Sequence, residues 1–468
     1  MKLEADNTLP KPVTKALGKF ISTLKWSEAS PAVRALMPVL MLDYFRAALA
    51  GQNRAWTDAV TALYRSHQSE HLASVLYTGA QVDVSRAAFI NGVAAGSLDW
   101  DDSHVAAIIH PGVVIWPAAM AVGEMVKCSG QELLTAVLAG YETAIRIGMS
   151  IQPEHSLRGF QGTPTCGVFG AAAACARLLR LTPEGCSNAL GIAATFSCGI
   201  SQFFVSGSDI KRLHAGKAAA NGVEAALLAH AGLTGPHDAI EGTQGFAAAF
   251  SDRFDPEVCV AGLQERFPTE WVSLKPHVGS VRMQAAIEAA AALSKQGVRA
   301  HEIESITLGL HGAMMSKLAS TKPIDIQQAQ LSTPFAVAMA LVMGPSKPWP
   351  LALSVDDYDA AMLNPAVWDL CARTTCVVDQ EVEARTTSES VSGRVSVQLR
   401  DGSVQEHFVQ SPKGCPQNPM SADEVAQRFL GLSASKLPEH DCTAWLQSVG
   451  KLEQLEDLSA LFALRMGE

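Results

Sequence analysis

The stretch SDIKRLHAGKAAANG, residues 208–222, combines a run of small residues with four potential cations. Alanine and glycine on a helix let a second helix approach closely, so this stretch predicts tightly packed helices. Lys211, His214 and Lys217 recur every third residue, which places them on neighbouring turns of one helix. Two interpretations are open: solvated basic residues at a helix end, or a cleft edge where Lys211 and Arg212 hold a carboxylate.

The composition extends this helical prediction to the rest of the chain. Hydrophobic residues make up 48% of the 468 residues and charged residues only 18%, and Ala and Gly are abundant. This balance favours closely packed helices over a large aromatic sheet core. A chain of this length exceeds one compact core, so two or three domains are expected.

The net charge excludes some classes of binding partner, and the cysteine pattern indicates the cellular compartment. The formal net charge of −10 argues against nucleic acid or an anionic membrane as partner, because both require a basic face. The uncharged stretches are interrupted by polar residues and predict buried helices, not membrane spans. The ten cysteines show no CxxC spacing and the N-terminus lacks a signal-peptide core, so we expect a cytoplasmic protein with reduced thiols.

A change of pattern along the chain predicts two domains. Helix-length apolar segments ending in Gly fill the first half, whereas alternating β-branched runs occupy residues 303–312 and 393–410. Asp401-Gly402 divides the second run and predicts a hairpin, and a capping box at Ser421 marks the return of helices. We predict a mainly α fold: a large all-helical domain from both chain ends (1–265 and 416–468), here called the helical domain, and a smaller inserted α+β domain (266–415), here called the lid. A cleft between two domains is a common ligand site.

The segment LDWDDSHVAAIIHPG, residues 98–112, concentrates polar side chains. They are Asp99, Asp101, Asp102, Ser103, His104 and His110. A metal site is one interpretation, but the spacing is not that of an EF-hand and no second acidic cluster accompanies it. A polar turn that caps a helix explains one aspartate but not the histidines. His110 precedes Pro-Gly, a rigid turn, so we expect a fixed imidazole suited to acid–base chemistry near neutral pH.

Two further segments could contribute to a site. RGFQGTPTCGVFGAAAACA, residues 158–176, is a Gly/Thr-rich loop leading into a small-residue helix, but it lacks the Gly-Lys-Ser/Thr of a phosphate loop. Its helix N-terminus could still hold a carboxylate. At the predicted domain junction, SLKPHVGSVRMQAAIEAA, residues 273–290, adds the cations Lys275, His277 and Arg282.

Several separated motifs, in order, resemble the MmgE/PrpD family: LDWDDSH with HPG, GTPTCGVFGAAAACA, KRLHAGKAAANGV, and LTGP with EGTQGF. The resemblance covers most of the chain. It implies a helical domain with an α+β lid, a homodimer, and a site between the domains for cofactor-free chemistry on di- and tricarboxylic acids. It also implies that Asp99, Ser103 and His110 match site residues and that Lys211 matches the family's active-site lysine.

The chain departs from the family pattern at three positions. Gln161 stands where the family usually has histidine in its GFHPT loop, and Gln284 stands where a second histidine is usual. Glutamine can hydrogen-bond a carboxylate but cannot accept a proton in catalysis. His277 replaces the family's tyrosine in KPYP, and we predict that it supplies a proton-transfer role from the lid, on the face of the substrate opposite His110.

The resemblance predicts a lyase similar to 2-methylcitrate dehydratase, which abstracts a proton next to a carboxylate. His110 would be the base or acid, Lys211 the electrostatic stabiliser and Asp99 the group that orients one of them. No metal or other cofactor is expected. The substrate-binding residues would be Ser103, His104, Gln161, Arg212, Lys275 and Gln284. An epimerase or isomerase, a decarboxylase, and a non-catalytic polycarboxylate-binding protein remain alternatives.

Overall fold

The computed structural model describes residues 11–64, 72–347 and 350–466, and its fold is mainly α with a small α+β part. This confirms the predicted fold class. Within the described residues the helices are α1 (Val13–Thr23), α2 (Pro31–Ala50), α3 (Ala55–Tyr64), α4 (Val84–Gly96), α5 (Gly112–Val126), α6 (Gly130–Ile151), α7 (Glu154–Leu157), α8 (Gly162–Leu178), α9 (Pro183–Phe196), α10 (Phe203–Ser206), α11 (Ile210–His230), α12 (Phe246–Phe250), α13 (Pro256–Val260), α14 (Gln284–Lys295), α15 (Met315–Leu318), α16 (Ile326–Ala329), α17 (Thr333–Met343), α18 (Val355–Met362), α19 (Pro365–Ala372), α20 (Gln380–Arg385), α21 (Ala422–Ser433) and α22 (Glu439–Gly450).

The strands are few and short. They are β1 (Leu72–Ser74), β2 (Gln81–Asp83), β3 (Ser103–His104), β4 (Val272–Ser273), β5 (Ile303–Leu310), β6 (Thr374–Val378), β7 (Gly393–Leu399) and β8 (Val404–Val409). The largest sheet has the order β6-β5-β7-β8, in which β5 and β6 are parallel and the other pairs antiparallel. The predicted hairpin joins β7 to β8: Gly402 has a φ of 88°, and Asp401 accepts a hydrogen bond from the backbone N of Ser403.

The small-residue stretch forms α11, which packs between α4 and α8. A Cβ at Gly216 would lie 2.3 Å from the carbonyl oxygen of Phe89 on α4, and one at Gly222 would lie 2.3 Å from the Cβ of Ala171 on α8. Neither position has room for a side chain, so the helices meet through their backbones. This close packing fixes the first turn of α11, where Lys211 lies.

Buried apolar residues form two clusters. One comprises residues between 13 and 274 together with residues 420–464, so the C-terminal helices α21 and α22 pack against the N-terminal half. The other comprises residues between 278 and 409 and reaches across to Trp100, Val105 and Phe203. We propose that these clusters are the cores of the helical domain and the lid.

Local signals at helix ends act as the sequence predicts. The Ser421 side chain accepts a hydrogen bond from the backbone N of Glu424, and the Glu424 side chain accepts one from the backbone N of Ser421. This reciprocal pair satisfies two backbone donors at the start of α21. Among the described residues, no helix is both long and apolar enough to cross a membrane.

Candidate active site

A cavity of about 360 Å³ lies between the helical domain and the lid. Residues between 99 and 211 line it with polar groups from three segments that the sequence singled out, and residues between 280 and 331 complete the lining. The polar residues used below are Asp99, Ser103, His110, Gln161 and Lys211 from the helical domain, and Arg282 and Lys317 from the lid.

Asp99, which lines the cavity, is the centre of a buried charge cluster. Its Oδ2 lies 2.6 Å from the Nζ of Lys211, and its Oδ1 lies 2.7 Å from the Nζ of Lys275. Burial opposes ionisation of Asp99, but the charges of Lys211 and Lys275 outweigh it and hold the pKa of this carboxyl well below its usual range. Asp99 is therefore a fixed anion that positions the ammonium group of Lys211.

His110 lies beside this cluster with its two ring nitrogens in different surroundings. Nδ1 has three oxygen neighbours: the Asp102 carbonyl at 3.0 Å, Asp101 Oδ2 at 3.2 Å and Ser103 Oγ at 2.8 Å. A carbonyl and a carboxylate can only accept, so Nδ1 carries the proton in the neutral ring. Nε2, which is 3.8 Å from Asp99 Oδ1, is left as the atom that can exchange a proton in the cavity.

The carboxylate of Asp101 lies against Nδ1 of the His110 ring. Burial would raise the pKa of Asp101, but Lys275 and His110 outweigh it and lower the pKa to about 2. Lys275 Nζ lies 3.4 Å from Asp101 Oδ1, and burial of this lysine is likewise outweighed by Asp101 and Asp99, which raise its pKa. An ionised Asp101 accepts a hydrogen bond from Nδ1 and fixes the ring, so that Nε2 is the nitrogen available for proton exchange.

The rigid turn at His110 is held by a neighbouring carboxyl group. Asp102 accepts hydrogen bonds from the Gly112 backbone N at 2.9 Å and from the Tyr141 hydroxyl at 2.7 Å. A Cβ at Gly112 would lie 2.6 Å from that hydroxyl oxygen, so only glycine fits here. Burial raises the pKa of Asp102 to about 7 even though Tyr141 stabilises its anion. The turn thus places His110 between a buried anchor and the cavity.

A short strand pair joins the aspartates to the lysine behind them. Ser103 of β3 pairs with Ser273 of β4, which brings Lys275 from the lid segment to Asp99 and Asp101. Asp99 itself has a φ of 53°, a left-handed conformation that Asp tolerates better than most residues. The backbone N of Gly279 donates to the Asp99 carbonyl and ties the lid to this bend.

Asp99, Asp101 and His110 also lie close enough together to hold a metal ion. Their charges are already matched, however, because Lys211 and Lys275 make ion pairs with both carboxylates. A divalent cation would have to displace two ammonium groups, one of them fully buried. The donor set therefore fits an organic anion held by Lys211 better than it fits a metal.

Gln161 lines the cavity at the N-terminus of α8, and His214 of α11 fixes its orientation. His214 Nδ1 lies within hydrogen-bond distance of Gln161 Oε1, and only a nitrogen can donate in this pair. Burial, with a contribution from Lys211, lowers the pKa of His214 to about 4, so the ring is neutral near pH 7. The Gln161 amide nitrogen is then left to donate to a ligand.

The lid contributes two cations, Arg282 and Lys317. Neither has a carboxylate within 4.0 Å among the described residues; their polar contacts there are with the backbone oxygens of Val105 at 3.5 Å and Ser156 at 3.4 Å. Burial lowers the pKa of both groups, and Arg282 further lowers that of Lys317. Two unmatched positive charges at the cavity favour an anionic ligand.

Three of the predicted substrate-binding residues, and the lid histidine, do not line the cavity. Arg212 is buried and donates to the Ser97 carbonyl, to Asp209 and to Gln327, with its guanidinium over the Trp56 ring. Lys275 lies behind the aspartates.

His277 and Gln284 are buried together at the domain junction. The Gln284 side chain accepts from the backbone N of His277 and donates to its carbonyl oxygen, and His277 Nδ1 accepts from the backbone N of Leu353. Burial lowers the pKa of His277 to about 3. His104, by contrast, does line the cavity, although it is buried and its pKa is lowered to about 4 by burial.

Sequence reasoning assigned no role to Lys317. It lies on α15, a helix of only four residues, and no motif surrounds it. Arg282 was noted only as one more cation near the cleft. Docking of the lid brings both side chains to the cavity, and no pattern of spacing within their own segments indicates this.

Comparison with known proteins identifies the family of this chain. The MmgE/PrpD N-terminal domain matches residues 15–259 and the MmgE/PrpD C-terminal domain matches residues 279–454. The chain is 28% identical to the cis-aconitate decarboxylase-like protein oryM of Aspergillus oryzae, over 99% of each chain. It is 26% identical to the cis-aconitate decarboxylase of Aspergillus terreus (99% of this chain, 98% of the relative) and 24% identical to that of Homo sapiens (98% and 95%). The chain therefore belongs to the MmgE/PrpD family.

Proposed function

We propose that this protein is a cofactor-independent lyase that removes carbon dioxide from a small unsaturated tricarboxylate of the cis-aconitate class. The observation that carries the proposal is the convergence of Lys211, Arg282 and Lys317 on one cavity beside His110. Family membership supports a small polycarboxylate as substrate, and the cis-aconitate decarboxylases among the relatives favour decarboxylation.

We assign the lid cations to substrate binding and Lys211 to stabilisation of the charge that develops in the reaction. Among the described residues, Arg282 and Lys317 on the lid have no carboxylate partner, so they can receive carboxylates of the substrate that do not react. Lys211 is already held by Asp99 at 2.6 Å and lies next to His110, so it is suited to the carboxylate on which charge develops. The amide of Gln161 and the hydroxyl of Ser103 add neutral hydrogen-bond donors.

The reaction needs stabilisation of a carbanion. When the carbon–carbon bond to the departing carboxylate breaks, carbon dioxide leaves and the electron pair moves through the double bond to the carbon beside a second carboxylate. The resulting dianion carries extra negative charge on that carboxylate, where Lys211 stabilises it. His110, protonated at Nε2, donates a proton to the carbon, and an unsaturated dicarboxylate results. Solvent then restores the proton on His110.

Dehydration of a 2-methylcitrate-like acid stays a prediction from the sequence, since the same groups could abstract a proton and release hydroxide. One experiment separates the outcomes. The purified protein is incubated in deuterium oxide with cis-aconitate, 2-methylcitrate, citrate and succinate derivatives, with a chelator present, and followed by NMR. Deuterated dicarboxylate with release of carbon dioxide is the expected result.

Each other result contradicts the proposal in a specific way. Alkene formation without loss of carbon indicates a dehydratase, and α-deuterium exchange alone indicates an epimerase. Binding of the acids without any turnover indicates a non-catalytic protein. Activity that disappears with the chelator and returns with a divalent ion contradicts cofactor independence, and directs attention to Asp99, Asp101 and His110.

A further inference from the structure

We infer that the substrate of this site carries a hydrocarbon substituent, which lies against an apolar wall of the cavity. This inference rests on the proposed function, because it concerns the same cavity and the same polycarboxylate. The wall combines side chains from both domains. They are Ile108, Phe160 and Phe204 from the helical domain, and Val281, Leu318 and Leu331 from the lid.

The wall is larger than a bare tricarboxylic acid requires. The cavity of about 360 Å³ falls in the range of roughly 300–1,000 Å³ that encloses drug-sized ligands, whereas a six-carbon acid is considerably smaller. The polar groups of Asp99, His110 and Lys211 lie close together and account for only part of the lining. An acid without an apolar part would leave the remaining side chains in contact with water, which costs free energy in proportion to their area.

The lid cations, which can bind carboxylates, lie next to the apolar side chains of the wall. Lys317 Nζ lies 5.5 Å from the centre of the Phe204 ring, and Arg282 reaches the backbone oxygen of Val105, whose side chain also lines the cavity. A carboxylate held by these cations brings the carbon skeleton that bears it against apolar side chains. One ligand with carboxylates and a hydrocarbon substituent satisfies both sets of groups.

The backbone conformation of Ile108 is an independent indication that its side chain has a role in ligand binding. Ile108 has a φ of 52°, a left-handed conformation that is unfavourable for a β-branched residue. Such strain persists only where the surroundings enforce it, and it is concentrated at ligand sites. Asn or Asp would adopt this conformation more easily, so the isoleucine side chain is kept against the local preference of the backbone.

The apolar part of the lining includes both buried and solvent-exposed side chains. Ile109, next to His110, is only 2% exposed, whereas Leu157, which also lines the cavity, is 77% exposed. Apolar contact is therefore available to a substituent both beside the reacting groups and where the lining meets solvent.

The test uses succinate and its methyl, butyl and hexyl derivatives, which lack both the double bond and the third carboxylate and cannot undergo the proposed reaction. Isothermal titration calorimetry gives Kd for each acid. We expect Kd to fall about fourfold per methylene over the first carbons, which is the ratio that corresponds to roughly 0.8 kcal/mol per buried CH₂. Kd that is constant or rises with chain length overturns the inference.

A variant and its control test whether the apolar wall causes the dependence of Kd on chain length. Ile108→Asn removes apolar surface at a position whose φ favours Asn, so folding is expected to be preserved. We expect it to reduce the ratio of Kd values between succinate and hexylsuccinate by about 15-fold, the loss of roughly two buried methylenes. The control Leu363→Ser, at a leucine that is 85% exposed and outside the cavity, should leave the ratio unchanged. An equal loss in both variants contradicts the inference.

Decarboxylation of cis-aconitate and of its butyl-substituted analogue, measured on the same preparations, separates the two proposals. Turnover of either acid together with chain-independent Kd overturns only the hydrocarbon substituent and leaves the proposed function intact. Chain-dependent Kd without turnover of either acid retains the wall as a binding surface but overturns the decarboxylase. If no acid binds and none is turned over, both proposals fail.

Discussion

Two histidines in this molecule, His110 and His277, lie in segments of similar sequence character and have opposite environments. Each is followed two residues later by a glycine, in HPG and in HVG, and both were predicted to transfer protons. His110 is partly exposed to the cavity and has the carboxylate of Asp101 against one ring nitrogen. His277 is buried, and its Nδ1 accepts a backbone hydrogen bond from Leu353.

The difference shows that burial without a carboxylate partner lowers the pKa of an imidazole. Burial, with a smaller contribution from Arg428, lowers the pKa of His277 to about 3, so the ring stays neutral and serves as a hydrogen-bond acceptor. His110 has a carboxylate beside Nδ1 and a second nitrogen that remains available. Substitutions at and around these two residues test whether the contrast determines function.

The largest effect is expected for His110→Gln. Loss of the proton donor should lower turnover of the acid identified by NMR by about 10²–10⁴-fold, the usual contribution of a general acid or base. Steady-state kinetics and the rate of deuterium incorporation measure this loss. Deuterium incorporation that continues at the wild-type rate would assign proton transfer to a different group.

The next effect is expected for Lys211→Met. Removal of the charge that stabilises the dianion should lower kcat/KM by about 10²–10³-fold, as for loss of one donor to a developing oxyanion. Asp99 keeps its ion pair with Lys275, so the fold should persist. Lys217→Met is the matched control, because Lys217 is an exposed lysine on the same helix. A similar loss in both variants would mean that overall charge on α11, and not the site, is responsible.

A smaller effect is expected for Lys317→Met on the lid. Since this cation is assigned to a carboxylate that does not react, KM should rise by about 10- to 100-fold while kcat changes little. The control is Lys322→Met, an exposed lysine of the same domain. A fall in kcat with unchanged KM would place Lys317 at the reacting carboxylate instead.

Features that depend on neighbours along the chain were predictable. The hairpin at Asp401-Gly402, the capping box at Ser421 and the close approach of α11 at Gly216 each depend on a few consecutive residues whose chemistry is specific. The placement of His110 follows from the rigid turn before Gly112. The fold class followed from these local signals together with the composition.

Features that depend on the direction of a side chain or on docking of the lid were not predictable. Lys211 and Arg212 are adjacent in sequence, but successive residues on a helix point about 100° apart. One therefore reaches Asp99 at the cavity, whereas the other is buried against Ser97 and Gln327. Lys317 reaches the cavity only because the lid packs onto the helical domain.

The difference between His110 and His277 is tested most directly by His277→Gln. We expect turnover of this variant to stay near the wild-type value. Glutamine keeps an acceptor oxygen but changes its position relative to the backbone N of Leu353. A buried donor left without a partner costs about 1–3 kcal/mol, so the melting temperature should fall.

The pH dependence supplies the second measurement for this variant. The pKa of His277 is about 3 in the folded protein and about 6.5 in the unfolded chain, so the unfolded chain binds more protons between these values. Wild-type stability therefore decreases as pH falls from about 6.5 toward 3, and His277→Gln should lose less melting temperature over that interval. Some dependence should remain, because His104, His155 and His214 also have lowered pKa values. A large loss of turnover at an unchanged melting temperature would instead support proton transfer by His277, as its sequence position first indicated, and would remove the distinction between the two histidines.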